Sequence, residues 1–199
     1  MSETPPTPPV RRRDAAATRQ AILDSARAAF ARAGYDGAGL REIAAGAGVT
    51  AILVNRYFGN KEGLFAEAVA ASMATTTVVL PRILKAGATG ADIAAALLSV
   101  TDAHDVPLEG FQIMLRSASS EVAARIAREQ IELFHQKAIA GSLKGARRDQ
   151  RAALLLSLIA GLQIMRQMIA LSPLAEADPK RLAEVLGGVI QHLIDAPAK

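Results

Sequence analysis

The sequence predicts an all-α protein with about nine helices. Apolar residues recur at helical spacing from Thr18 onward, and no strand-like alternation flanked by a hairpin turn signal interrupts them. Of the 199 residues, 51% are hydrophobic and 21% are charged, so the chain is able to bury a sizeable core. No internal repeat of fixed period is present.

Residues 1–14 are predicted to form a disordered basic arm. Four of the first ten residues are proline, and the segment closes with Arg11, Arg12 and Arg13. Residues 1–62 hold nine Lys or Arg and six Asp or Glu, so most of the excess positive charge lies at this end. A polyanionic partner is one interpretation, and a solvated basic surface is the other.

The first helix of a compact unit, residues 15–62, follows the arm. Ile22, Ala26 and Phe30 stand at i, i+4 and i+8, which places them on one buried side of a helix. Gly34 is predicted to end this helix, because glycine adopts the backbone conformations that close helices.

Two shorter helices complete this unit. One spans Leu40 to about Gly46 with Gly39 as its N-cap. The next runs from Ala51 to Phe58, with Thr50 supplying the N-cap oxygen and Gly59 ending it. Three helices joined by tight glycine turns predict a helix-turn-helix unit.

The remaining residues, 63–199, are predicted to form a larger helical domain. Its element boundaries are set by prolines and by N-caps at Asn60, Thr89 or Thr89-Gly90, Ser119 or Ser120, and Asp178. The predicted helices run from Lys61 to about Leu80, Asp92 to Thr101, Phe111 to Ser117, Ser119 or Ser120 to near Gly141, Arg147 to about Leu171, and Pro179 to about Ile194, with Pro81, Pro107 and Pro173 at interruptions.

The third helix has two faces of different chemistry. Val54 and Phe58 are four residues apart and are expected in the core. A helix fits the major groove of DNA, where Asn pairs with adenine, Arg pairs with guanine, and Ala or Ile meets a thymine methyl group. The second face, which has this chemistry, comprises Ala51, Ile52, Asn55 and Arg56. An ordinary solvent-facing surface is the alternative.

Five motifs follow one another in a specific order between residues 18 and 69. They are Thr18-Arg19-x-x-Ile22-Leu23, Phe30 with Gly34-Tyr35, Arg41-Glu42-Ile43-Ala44, Gly48-Val49-Thr50, and Tyr57-Phe58-Gly59-Asn60-Lys61-Glu62. In this order and spacing, the segment resembles the DNA-binding domain of the TetR family of bacterial transcriptional repressors.

The resemblance implies a role for each matching position. Thr50, Tyr57 and Lys61 would bind DNA phosphates, and Arg41 would approach the backbone or an adjacent base. The side chains that would face base edges are Ala51, Ile52, Asn55 and Arg56.

Two departures from the family pattern affect DNA recognition. The third helix has Ala51, Ile52, Leu53 and Asn55 where the family often has Lys, Gly, Thr and Tyr, and Gly39 replaces the usual Thr or Ser cap. Because the recognition helix has fewer basic groups, Arg11 to Arg13 are expected to add affinity, in the adjacent minor groove for example. A solubilising tail is the alternative for this arm.

Beyond residue 70 the resemblance is architectural and implies a homodimer. The segments 147–171 and 178–194 are apolar on more than one side, and Gly161, Gly187 and Gly188 would allow close approach of a second subunit. Burial inside a larger monomer core is the alternative. A two-fold dimer would hold its recognition helices about 34 Å apart and require a pseudo-palindromic operator.

A small-molecule effector is expected to bind the larger domain. Arg116 and Arg166 lie within apolar sequence, so they either pair with Glu109, Glu121 or Glu129, or anchor an acidic ligand. Aromatic residues make up only 4% of the chain, which favours an aliphatic or small effector over a flat multi-ring one. The candidate effector-binding residues are Phe111, Gln112, Arg116, Phe134, His135, Gln163 and Arg166.

Composition argues against several other functions. The chain has no Cys and three His, and it contains no nucleophile elbow, Walker loop or dinucleotide-binding motif, so we expect no enzymatic activity, no cofactor and no metal. Asp102, His104 and Asp105 are interpreted as a solvated loop, with a metal site as the alternative. The longest uncharged stretches have 14 residues and no secretory signal is evident, so a cytoplasmic protein with no membrane partner is expected.

The sequence therefore predicts a DNA-binding transcriptional regulator. We expect a homodimeric repressor that a small-molecule effector releases from a palindromic operator. The alternative is a helical small-molecule sensor that acts through a protein partner without specific DNA binding.

Overall fold

The computed structural model describes residues 10–101 and 109–195, and for residues 10–14 and 74–79 it describes the backbone only. Every regular element in these ranges is a helix, which confirms the predicted all-α class. The elements are α1 (Val10–Gly37), α2 (Leu40–Gly46), α3 (Ala51–Phe58), α4 (Lys61–Lys85), α5 (Gly90–Val100), α6 (Glu109–Ser117), α7 (Glu121–Gln130), π1 (Ile131–Gln136), α8 (Lys137–Ala140), α9 (Arg148–Gln163), π2 (Ile164–Met168), α10 (Ser172–Ala175) and α11 (Pro179–Ile194).

Several of these elements continue one another. The backbone stays helical through α7, π1 and α8, and again through α9 and π2. The described chain therefore forms ten continuous helices where about nine were predicted, and the short α10 is the addition. None of them has the length and apolar character that crossing a bilayer requires.

The first helix begins earlier than predicted. α1 starts at Val10, so Arg11, Arg12 and Arg13 lie on its first turn, whereas the sequence predicted an arm through residue 14. The prolines end at Pro9, and the Arg and Ala residues that follow are strong helix formers. Residues 1–9 of the predicted arm lie outside the described part of the chain.

Pro81 does not end α4, which continues to Lys85. A proline inside a helix removes one backbone hydrogen bond, a cost that packing is able to offset. Leu80 and Leu84 flank Pro81, and both are buried in the core of the larger domain. The burial of these two leucines is the interaction that favours helix on both sides of the proline.

Two apolar cores organise the fold. In the first, the ring of Phe65 lies 5.0 Å from those of both Phe30 and Tyr35, in edge-on geometry. The predicted core residues Ile22, Ala26 and Phe30 are fully buried here. This core also includes Ile113 and Ile126 of α6 and α7, so it extends past residue 62. The second core joins the end of α4 to α5, α8, α9 and α11.

The predicted N-caps are observed. Asn60 accepts a hydrogen bond from the Gly63 amide at 2.8 Å, and Asp178 accepts one from the Lys180 amide at 2.9 Å. Thr89 and Asp92 form a reciprocal capping box at the start of α5, and Ser120 caps α7. These caps set the starts of four helices as the sequence predicted.

Gly187 permits a close contact between two helices of the same chain. It was predicted to allow close approach of a second subunit, but a Cβ at this position would lie 2.9 Å from the Cα of Ala91 in α5. α11 therefore packs backbone to backbone against α5. A Cβ added at Gly161 or Gly188, the other two glycines of that prediction, would meet no atom of another element within 4 Å, so both positions are open.

Gly34 marks a second close approach, between α1 and α6. Its φ of 68° and ψ of −178° break the helix where the sequence predicted. This conformation is restricted almost entirely to glycine. A Cβ here would also collide with the carbonyl oxygen of Arg116 and lie 2.9 Å from its carbonyl carbon.

We predict that Gly34→Ala lowers the free energy of unfolding by about 3 kcal/mol or more, since backbone strain adds to the collision. Gly48→Ala is the matched control, because Gly48 has the same φ of 68° but no atom within 4 Å of the added Cβ. It should cost about 1 kcal/mol. Chemical denaturation measures both values, and equal losses would contradict the proposed close approach.

Candidate nucleic-acid interface and internal cavity

The turn between α2 and α3 has defined geometry. Gly48 adopts a positive φ of 68°, and the Val49 amide donates to the Ala44 carbonyl at 2.9 Å. The Thr50 hydroxyl then accepts a hydrogen bond from the Leu53 amide at 3.4 Å and caps α3, as predicted. The angle between the two helices is thus set by local hydrogen bonds.

The two faces of α3 separate as the sequence predicted. Val54 is fully buried and Phe58 is buried, and both belong to the first core. On the opposite side Asn55 and Arg56 are exposed, and Ile52 is 82% exposed. Ala51 is half-buried at the edge of this face, where it packs against the core. The exposed face of α3 thus carries an aliphatic, an amide and a cationic side chain, the three kinds of group that read base edges in the major groove.

The candidate phosphate-binding residues lie at the ends of the neighbouring helices. Arg41 and Thr50 are exposed, and Tyr57 is half-buried. The Lys61 ammonium lies 4.7 Å from the centroid of the Tyr35 ring, a cation–π contact that holds it at the start of α4. The side chains of Arg11, Arg12 and Arg13 lie outside the described part of the chain.

Ion pairs divide the arginines of this region into two groups. Arg19 pairs with Glu67 and lies over the Phe58 ring, and Arg32 pairs with Glu42. Within the described residues, Arg41 and Arg56 have no carboxylate partner. These two cations are therefore available to an anion, a distinction that sequence spacing alone does not make.

A polar cluster joins α1 to α6 and α4. Arg27 donates to the Glu109 carboxylate from Nη2 at 2.5 Å and from Nε at 2.7 Å, and Nε also approaches the Ser72 hydroxyl at 3.1 Å. The sequence alone predicted Glu109 as an ion-pair partner of Arg116 or Arg166 instead. The true pairing joins residues 82 positions apart, so no local pattern predicts it.

The larger domain contains a partly open cavity of about 80 Å³. Two of the candidate effector-binding residues, Phe111 and His135, line it. His135 is 5% exposed, and this burial lowers the pKa of its imidazole below the ordinary value. The other lining residues are Ser72, Met73, Leu80, Pro81, Gly110, Met114, Ile131, Ile139, Leu156, Ile159 and Ala160.

The remaining candidates lie away from this cavity lining. Arg116 is exposed, Phe134 is 45% exposed, and Gln112 is half-buried on α6. Gln163 is buried and donates to the Gln167 side chain at 3.2 Å. Phe134 and His135 are adjacent on π1 but point to different environments. Which face of a helix lines a cavity depends on how the helices pack. The amino-acid composition does not show which face that is.

Arg166 binds backbone carbonyls, whereas its predicted structural role was an ion pair with a glutamate. It is 2% exposed, and its Nη1 donates to the carbonyls of Leu98 at 2.8 Å and Thr101 at 2.7 Å. Its Nε donates to the Leu174 carbonyl at 3.2 Å. The guanidinium therefore caps the carboxyl end of α5, where a cation is favoured by the helix dipole, and pairs with none of the three glutamates proposed.

The described residues contain no group of three or more His, Asp or Glu side chains that could hold a metal ion. The predicted loop with Asp102, His104 and Asp105 lies outside those residues.

Two family models match the chain. Residues 22–68 match "Bacterial regulatory proteins, tetR family", and residues 88–194, more than half of the chain, match "Tetracyclin repressor-like, C-terminal domain". The chain belongs to the TetR family. It is a DNA-binding transcriptional regulator, and the TetR resemblance inferred from residues 18–69 is confirmed.

Solved structures of TetR regulators share this fold. A TetR-family regulator from Streptomyces coelicolor is 26% identical with a TM-score of 0.56, covering 96% of this chain and 99% of its own. NalD, the secondary repressor of the MexAB-OprM multidrug efflux pump in Pseudomonas aeruginosa, is 24% identical with a TM-score of 0.59, covering 89% and 95%.

FadR from Bacillus subtilis, solved in complex with stearoyl-CoA, is 17% identical with a TM-score of 0.58, covering 88% of this chain and 97% of its own. At this identity, the likeness to NalD and FadR concerns the fold. None of the curated proteins matches this TetR chain.

We predict that acid destabilises this regulator partly through His135. Because burial lowers its pKa in the folded state, the unfolded chain takes up the proton more readily than the folded chain as the pH falls below about 6.5. Above that pH, protonation of His135 costs the folded state nothing. Below it, the free energy of unfolding falls by up to about 1.4 kcal/mol per pH unit. His135→Gln should flatten the fall in unfolding free energy below about pH 6.5. The two proteins should differ by a constant amount above about pH 7.5, and parallel curves throughout would contradict the assignment.

Proposed function

We propose that this TetR regulator is a homodimeric repressor that a small-molecule effector releases from a pseudo-palindromic operator. The observation that carries the proposal is α3, whose buried Val54 and Phe58 hold Ile52, Asn55 and Arg56 exposed on the opposite face. This role requires binding and no catalysis, and it places the protein with the DNA in the cytoplasm. Residues 15–62 would bind DNA, and residues 63–199 would bind the effector and dimerise.

The DNA contacts divide by chemistry. Ala51, Ile52, Asn55 and Arg56 would meet base edges in the major groove, since their side chains form one edge of α3. Flanking groups would bind phosphates and set the register: Arg41, Thr50, Tyr57 and Lys61. Arg11, Arg12 and Arg13 would add affinity from the first turn of α1.

Exposed apolar residues support a dimer through α9 and α11. Leu154 of α9 and Met165 of π2, which continues α9, are about half exposed and share one face with the open Gly161. On α11, Val185 is 70% exposed and is followed one turn later by Val189. Apolar stripes on adjacent helices are unfavourable in water, and a second copy would cover both in a four-helix arrangement.

The position of α6 supports a route from effector to DNA. One side of α6 lines the cavity through Gly110, Phe111 and Met114, while Glu109 binds Arg27 of α1. A ligand that enlarged the cavity would displace α6 and with it the DNA-binding unit. Release also requires that the ligand bind the displaced state more tightly than the DNA-bound state. FadR offers a precedent for ligand binding in this fold, and NalD offers one for repression.

Selection of duplexes from a random DNA library tests the proposal, and a palindrome with half-sites about one helical turn apart is expected. On that duplex, Asn55→Ala and Arg56→Ala should each lose about 1 to 3 kcal/mol at particular base positions. Lys61→Ala should weaken binding to all sequences alike and reduce the salt dependence.

Arg82→Ala is the control, because Arg82 is an exposed cation near the end of α4 with no proposed DNA contact. It should leave both the preferred sequence and the affinity unchanged. If no duplex were enriched, or if Asn55→Ala left every base preference intact, the proposed recognition surface would be wrong.

We predict that Val185→Asp weakens the dimer by roughly 30-fold or more, about 2 kcal/mol, because a carboxylate would be desolvated at the interface. Leu133→Asp is the matched control, since Leu133 is an exposed apolar residue outside α9 and α11. Sedimentation velocity over a concentration series measures both dissociation constants. A dimer of unchanged affinity in Val185→Asp would contradict this interface.

A further inference from the structure

The cavity adjoins an open groove through a shared wall. The groove has a volume of about 680 Å³ and lies between the α7 to α8 helix and α9. Ile131, Leu156 and Ala160 line both the groove and the cavity. Small shifts of these side chains would join the two spaces. We refer to these three residues as the gateway.

The two spaces differ in chemistry. Among its described lining residues, the cavity is apolar apart from Ser72 and His135, and the Ser72 hydroxyl already lies in the polar cluster with Arg27 and Glu109. Its volume of about 80 Å³ has room for roughly five to eight water-sized groups. A flat multi-ring ligand needs a pocket of about 300 Å³ or more. A single hydrocarbon chain fits the cavity better, because it fills the space one methylene at a time.

The groove favours an anion. Arg128 and Lys137 line it with exposed side chains, and Glu132 is the one carboxylate among its described lining residues. Within the described chain, neither Arg128 nor Lys137 forms an ion pair. The lining of the groove therefore carries a net positive charge and has cations available to a ligand.

π1 lies between the two spaces. Ile131 and His135 contribute to the cavity, whereas Glu132 and Gln136 contribute to the groove. π-helical turns are rare and are often found at functional sites. Here the π-helical register places neighbouring residues on the apolar and the charged side of one wall.

We propose that the effector is an amphipath with one saturated hydrocarbon chain and an anionic head group. The chain would pass the gateway into the cavity, and the head group would stay in the groove near Arg128 and Lys137. This inference rests on the proposed function, because it names the chemical class of the effector that the repressor senses.

Calorimetric titration of the full-length protein tests it, with saturated fatty acids of 6 to 14 carbons below their micelle concentrations as probes. Affinity should rise about fourfold per methylene over the lengths that fill the cavity, and then level off. Decanol should bind about tenfold more weakly than decanoate because it lacks the charge. Decyl phosphate distinguishes a phosphate head group from a carboxylate. Equal affinity across chain lengths, or for acid and alcohol, would overturn the proposal.

Ala160→Phe tests the gateway. The larger side chain should obstruct the passage and reduce decanoate affinity by about tenfold or more. Ala95→Phe is the control, since Ala95 is an exposed alanine within α5 that lines neither the groove nor the cavity. It should change the affinity by no more than about twofold. Equal effects of the two substitutions would overturn the proposal that the hydrocarbon chain passes the gateway into the cavity.

Arg128→Gln combined with Lys137→Gln tests the head-group site. Decanoate affinity should fall about tenfold while decanol affinity stays unchanged, a difference that general damage to the fold would not produce. Arg148→Gln, at an exposed cation outside the groove lining, is the control. If decanoate and decanol lost affinity alike, the anionic head-group site would be refuted.

The duplex selection separates this inference from the proposed function. Selection of a palindrome without binding of any amphipath would leave the repressor proposal intact and overturn the effector class. Gateway-dependent binding of decanoate without selection of any duplex would support the ligand site and overturn the repressor proposal.

Discussion

The close approach of α1 and α6 at Gly34 is the constraint on which the two parts of the molecule depend. The backbone of α6 occupies the space that a side chain at Gly34 would need. Next to this contact, the Tyr35 amide donates to the Ser117 hydroxyl at 2.9 Å. At the other end of α6, Glu109 binds Arg27. The contact at Gly34, the hydrogen bond to Ser117 and the ion pair with Arg27 thus hold α6 against the DNA-binding unit.

This arrangement makes α6 part of both the first core and the cavity lining. Its residues complete the first core through Ile113 and line the cavity through Phe111 and Met114. Packed cores resist continuous deformation, so a change at the cavity is transmitted through α6 or absorbed by a second packing arrangement. The proposed control of DNA binding by an amphipath would act at α6, about one helix width from α1.

Two buried arginines have a different role in the larger domain. Arg166 closes the carboxyl end of α5, and Arg151 donates to the carbonyls of Lys144 at 2.6 Å and Leu193 at 2.7 Å near the end of α11. Both satisfy carbonyls that would otherwise lack partners in an apolar interior. Substituting either would leave several such carbonyls unpaired, so both arginines have a structural role.

The sequence by itself determined what depends on neighbours along the chain. Helical periodicity, caps such as Asn60 and Asp178, and the glycine break at Gly34 are local, so the class, most boundaries and the two faces of α3 could be predicted. The ordered motifs of residues 18–69 further identified the family.

Only the tertiary structure decided which distant residues meet. The Arg27 to Glu109 pair, the contact of Gly187 with α5, the carbonyls around Arg166 and the lining of the cavity all join separate helices. Their identity depends on helix rotation and crossing geometry, which composition does not encode residue by residue. For the same reason α4 continues past Pro81, since packing of Leu80 and Leu84 outweighs a local stop signal.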